Sequence, residues 1–132
     1  MNGKLFFDTN LLIYAVADAD PRADIARGLL AQGGVVSVHV LNEFVAAARR
    51  KFRMSWQDIL EALTDFRVLC PGPVPITLKT HEAALGIAER YGYRIYDSLV
   101  IAAALEARCD TLYSEDMQGG QKIQDLTIRN PF

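Results

Sequence analysis

The chain has 132 residues, 51% of them hydrophobic and 23% charged, with a formal net charge of −2. This length and balance suit one soluble globular domain with a real core, and they exclude nucleic-acid binding through a global positive field; a local basic patch would have to serve. Apolar runs such as SLVIAAAL are too short to span a bilayer, the N-terminus lacks the pattern of a signal peptide, and Cys70 and Cys109 have no CxxC spacing. A cytoplasmic protein with free thiols is expected.

In chain order, KLFF reads as a short strand with apolar residues on both faces. NLLIYAVAD reads as a helix after Asp8. A second helix lies in DADPRADIARGLLAQGG, with Asp20 as N-cap, Pro21 at the first helical position and Gly33-Gly34 as the stop. GVVSV is expected to be a strand. LNEFVAAARRKF is a helix with cations at its end, and SWQDILEALTDF a helix opened by Ser55. RVLC is expected to be a further strand, closed by a surface turn at PGPVP. TLKTHEAALGIAERYG predicts a helix ending at Gly92. YDSLVIAAALEARC predicts a buried helix, apolar nearly all round. DTLYS is a strand, EDMQGGQKI a loop and LTIRN a final strand. Strands separated by helices imply an α/β fold, with a mostly parallel central sheet flanked by helices.

Acids punctuate this pattern at telling places. Asp8 follows the first strand with apolar neighbours on both sides and no Lys, Arg or His nearby in the chain, and a carboxylate buried unpaired is costly. Asp116 follows the strand TLYS, Glu43 lies in the first turns after GVVSV, and Asp97 starts the buried helix. Ligands of open α/β sheets bind beyond the carboxyl ends of the strands, so a parallel sheet could gather all four at one rim. Each acid also has a plainer reading. Asp8 and Asp97 are good helix caps, Glu43 suits a helix N-terminal region, and Asp116 sits in a polar loop beside Glu115. Taken together the four repel one another, and a divalent cation is the usual remedy. His39 and His81 are the only histidines and lack zinc-ligand spacing; they read as a helix-start and a surface-helix residue. An all-oxygen set suits Mg²⁺ or Mn²⁺, and such sites commonly serve phosphate chemistry. No P-loop, GxGxxG or GxSxG occurs.

FFDTNLLIYA, VLNEF, YDSLVIAAA and LYSEDMQ resemble, in that order, the acidic motifs of PIN-domain ribonucleases, specifically VapC-type toxins of bacterial toxin–antitoxin pairs. The resemblance covers nearly the whole chain, residues 1–132, as a single PIN-like nuclease domain. It implies metal-site and catalytic roles for Asp8, Glu43, Asp97 and Asp116. Thr9, Asn10 and Ser114 are implied as supporting residues, with Glu115 as neighbour or helper of Asp116. The family pattern prefers Asp116 over Glu115 as fourth ligand, and MQGG departs from the family's apolar-aromatic continuation. The resemblance further implies a Mg²⁺-dependent endoribonuclease that forms a homodimer and is held by a small antitoxin.

RRKFR supplies Arg49, Arg50, Lys51 and Arg53 with Phe52 as contacts for RNA, or else a solvated helix end; Arg90 and Arg94 are a second basic candidate. Trp56 and Phe66 are expected to leave apolar surface for a partner. Two rival classes stay open. One is a non-cleaving PIN-fold module that binds metal or RNA, or a PIN-fold RNA-processing nuclease outside a toxin pair. The other is a phosphotransfer enzyme with an Asp after the first strand, for which DTN and TLYSED give no clean match.

Overall fold

The computed structural model describes residues 3–132. Its first elements are β1 (Leu5–Phe7), α1 (Thr9–Val16) and α2 (Arg22–Ala31). Phe6 and Phe7 are neighbours in β1 and both are fully buried. Adjacent strand residues point to opposite faces, so this strand is covered on both sides. Pro21 is the N-cap of α2, and Asp20 supports the turn by accepting a hydrogen bond from the backbone N–H of Arg22 at 2.9 Å.

GVVSV does not form a full strand. Val35 bridges Phe6 in parallel and Ser37 bridges Val74, so the segment is extended but paired at isolated points only. Gly34 is what permits the approach to β1, since a Cβ there would lie 2.6 Å from the Phe7 ring and 2.7 Å from the Leu5 carbonyl oxygen.

α3 (Val38–Arg50) begins at Ser37, whose hydroxyl accepts from the Val40 N–H. It therefore starts three residues earlier than LNEF suggests, and His39 lies in its first turn as expected. α4 (Trp56–Leu69) corrects the strand expected at RVLC, which is the end of this helix. Its buried residues Ile59, Ala62 and Phe66 share one face, and Cys70 continues that spacing. The 3.6-residue period thus runs through RVLC and overrides its β-branched valine. Phe66 is core, set edge-on to Phe44 with ring centroids 5.0 Å apart, so the expectation that it leaves apolar surface is overturned. Trp56 is 55% exposed, as expected.

α5 (Leu78–Tyr91) opens with a Thr77–Thr80 capping box and ends at Gly92, whose φ of 78° is the left-handed conformation glycine favours. α6 (Ile95–Glu106) is buried throughout from Ser98 to Ala104 and forms the apolar spine of the molecule. β2 (Thr111–Tyr113) and β4 (Leu126–Arg129) follow. The loop expected over EDMQGGQKI contains a further short strand, β3 (Lys122–Ile123), which pairs antiparallel with β4 through a tight turn at Gln124 and Asp125. Sheet order is β1-β2-β4-β3, with β1, β2 and β4 parallel. Among the described residues no helix is long and apolar enough to cross a membrane.

Candidate active site

Parallel pairing of β1 with β2 puts Phe7 opposite Tyr113. The residues that follow, Asp8 and Ser114, therefore meet at one sheet edge. The Asp8 N–H donates to the Tyr113 carbonyl at 3.0 Å, and the Ser114 hydroxyl donates to Asp8 Oδ2 at 2.7 Å. Asp8 is also the N-cap of α1, its Oδ1 accepting from the Thr9 N–H at 2.7 Å. Asp8 thus caps a helix and lines a cleft at the same time.

That cleft, about 380 Å³ in volume, is lined by Asp8, Glu43, Asp97 and Asp116. Asp8 lies at the end of a strand, Glu43 within α3, Asp97 in the first turn of α6, and Asp116 in the segment after β2. Asp97 is not the N-cap. Arg94 holds that position without a side-chain capping bond, so the cap reading of Asp97 is corrected. Thr9 and Asn10 also line the cleft, and the Thr9 hydroxyl donates to Glu43 Oε1 at 3.0 Å.

The electrostatics are those of crowded acids. Burial pushes the Asp8 carboxyl up to about 6; hydrogen bonds from Ser114 and Thr9 oppose this, while the charges of Glu43 and Asp97 add to it. The Asp97 carboxyl is likewise raised, first by burial. Arg94 and His39 pull it down and Asp116 pushes it up. Asp8 thus feels Glu43 and Asp97, and Asp97 feels Asp116.

This donor chemistry fits a hard divalent cation. The acidic donors that line the cleft are all carboxylates, and Asp8, only 5% exposed, takes hydrogen bonds from a neutral amide and a neutral hydroxyl. The arrangement is open. Among the described residues no three His, Cys, Asp or Glu side chains stand grouped closely enough to hold a metal ion as they are placed.

The basic run divides. Arg50, Lys51 and Phe52 line the same cleft as the acids. Arg49 turns away, donating to the Met54 carbonyl at 2.9 Å and lying 4.8 Å over the Trp56 ring. Arg53, exposed with φ of 50°, is not among the lining residues. Arg94 acts on Asp97 electrostatically, whereas Arg90 lies over Tyr91 in a different groove.

Glu115 faces elsewhere. Its carboxylate accepts from Asn10 Nδ2 at 3.2 Å, from Arg22 Nη1 at 2.9 Å and from the Tyr14 hydroxyl. Burial works against its ionisation, yet these three donors hold its carboxyl below the usual range. Arg22, Tyr14 and Asp20 are thus neighbours of the site that sequence reasoning missed, because Arg22 and Glu115 are 93 residues apart in the chain. His39 was missed as well. Its Nε2 is buried 3.3 Å from Glu43 Oε1, off the line of a good hydrogen bond, and its ring stacks on Tyr96 at 5.4 Å. The spacing of four residues from Glu43 was the available signal.

Solved structures of similar fold include VapC20 of Mycobacterium tuberculosis, described as a sarcin-ricin loop cleaving toxin (21% identity, TM-score 0.70, covering 86% of this chain and 90% of that one). A toxin–antitoxin complex from Klebsiella pneumoniae matches at 19% identity and TM-score 0.73, over 98% of both chains. VapBC2 from Rickettsia felis, bound to a DNA fragment from its promoter, matches at 19% identity and TM-score 0.67, over 96% of this chain and 97% of that one. Comparison with curated protein sequences finds no match. The PIN domain family model matches residues 5–118, which span β1 through the segment after β2 and include all four cleft acids; the chain belongs to the PIN domain family.

Proposed function

We propose that this protein is a metal-dependent endoribonuclease and the toxin of a type II toxin–antitoxin pair, acting in the cytoplasm as a single nuclease domain over residues 1–132. One observation carries the reading: four carboxylates from four parts of the chain share a cleft with Arg50 and Lys51. Family membership and the VapC20 and VapBC2 likenesses support it.

Asp8, Glu43, Asp97 and Asp116 would hold Mg²⁺ or Mn²⁺. When bound, such an ion acidifies water and offsets negative charge on a phosphodiester. The chain's own residues do the rest. Ser114 and the Thr9 amide fix the Asp8 carboxylate, and the Thr9 hydroxyl fixes Glu43. Arg50 and Lys51 take the RNA phosphates, with Phe52 beside them for an unpaired base. One of these four carboxylates would also accept the proton of the attacking water. A small antitoxin and a second copy of the chain are the partners that complete this reading.

The test is cleavage by purified, antitoxin-free protein. Total RNA incubated with Mg²⁺ should acquire new, discrete ends, read by end sequencing, and EDTA or Asp8→Asn should abolish them. Equal cleavage in chelator would refute the metal-dependent reading. Tight metal and RNA binding across a broad RNA pool without any cleavage would favour a non-cleaving PIN module. A nuclease with no antitoxin reading frame beside its own would favour an RNA-processing role.

A further inference from the structure

The segment after β2 carries residues with different jobs in immediate succession. Ser114 is buried and donates to Asp8, Glu115 is turned toward α1 and α2, and Asp116 is exposed in the cleft. Arg22 is the hub of the contacts that hold Glu115 where it is. Its Nε and Nη2 engage Asp20 Oδ1 and Oδ2 at 2.9 and 2.8 Å, and its Nη1 reaches Tyr14 OH at 2.7 Å and Glu115 Oε1 at 2.9 Å. The guanidinium also lies 3.9 Å over the Tyr14 ring. Only a planar fork with several fixed donors can bridge two carboxylates and a phenol in this way. On its far side the same segment is tied by Tyr93, whose hydroxyl accepts from the Gln118 N–H at 3.3 Å and donates to the Gln121 side chain.

We infer that Arg22 is a positioning residue: through Glu115 it clamps the Ser114–Asp116 segment to α1 and α2, keeps Glu115 out of the cleft, and so fixes where Asp116 stands. This rests on the reading of Asp116 as a cation ligand. A surface ion pair contributes little to stability, so the clamp should show itself in the affinity of the site more than in the melting temperature. Outer residues that orient a ligand typically affect metal affinity by about 10–100-fold.

The probe is Mn²⁺ alone, titrated into the full chain by calorimetry, with amide hydrogen exchange of the metal-free protein as the second arm. Arg22→Met, Glu115→Ala, their double variant and Asp116→Asn are compared with wild type, and melts in EDTA confirm that each is folded. Arg22→Met and Glu115→Ala should each weaken Mn²⁺ binding roughly tenfold. The double variant should be no weaker than either single one, since both break the same clamp. Exchange should rise across residues 114–121 in each while α6 stays protected. Wild-type Mn²⁺ affinity in Arg22→Met overturns the proposal, and so do losses that add in the double variant. If Glu115→Ala loses as much as Asp116→Asn while Arg22→Met loses nothing, Glu115 is a ligand and the proposal is wrong. A wild type that binds no Mn²⁺ at all refutes the metal reading by itself. The exchange arm then decides the clamp, with raised exchange in Arg22→Met supporting it and unchanged exchange overturning it.

Discussion

Asp97 and Asp8 have opposite histories. Asp97 looks like a helix cap in sequence and is not one, while Asp8 is a cap and a cleft acid together. Near the N-terminus of α6 the Asp97 charge gains from the helix dipole, yet its carboxyl is raised, so its surroundings disfavour ionisation. Asp97→Asn should therefore leave the metal-free protein as stable or slightly more so, by at most about 1 kcal/mol after solvent screening. Mn²⁺ should raise the melting temperature of the variant much less than that of wild type. Equal metal-induced shifts in thermal melts would remove Asp97 from the ligand set. For Asp8 the folded value of about 6 lies above the ordinary value of 3.8. Between the two, the folded state holds the proton more often than the unfolded state. Stability in EDTA should then fall as pH rises from about 4 to about 6, by on the order of 2–3 kcal/mol, and stay low above that window. Asn also caps helices, so subtracting the pH profile of Asp8→Asn isolates this contribution. A flat difference between pH 4 and 7 would mean that Asp8 is solvated rather than buried.

At the scale of elements, the helix carrying Glu43 ends in cations that do unlike things. Arg50 and Lys51 line the cleft, whereas Arg49 closes back onto Met54 and Trp56. Neutralising Arg50 and Lys51 should weaken RNA binding and reduce the slope of log K against log salt by roughly one unit for each phosphate left without its cation. Neutralising Arg49 should leave that slope alone. Filter binding in EDTA across a salt series measures both, and identical slopes for all variants would return the run to a solvated helix end. The sequence showed the cations but not their division, because side-chain direction at a helix end depends on the turn that follows. The same limit explains RVLC and GVVSV. Local composition suggested strands, but Phe66 and Cys70 extend the buried face of α4, and the Gly34 segment pairs only at isolated points. The gathering of Asp8, Glu43, Asp97 and Asp116 at one cleft was legible because each sits at a predictable place relative to a strand end or helix start. Arg22 was not, since its partner Glu115 is brought to it only by tertiary folding.

Across the whole molecule, one core holds α6 at its centre while apolar side chains remain outside, among them Trp56 at 55%, Leu60 at 60% and Val68 at 74% exposure on α4. Exposed apolar groups gathered on one helix suit association. Light scattering should give a dimer mass at micromolar concentration, and a clean monomer at high micromolar concentration would contradict the homodimer. The central claim, that the four carboxylates of the cleft hold a divalent cation, is tested most directly by diffraction from Mn²⁺-soaked crystals at an anomalous wavelength. The expected result is a Mn²⁺ peak inside the cleft, with an Asp8 oxygen at about 2.1 Å and at least one further cleft carboxylate bound to it. A fully occupied Mn²⁺ site elsewhere on the protein, with the cleft empty, would contradict it.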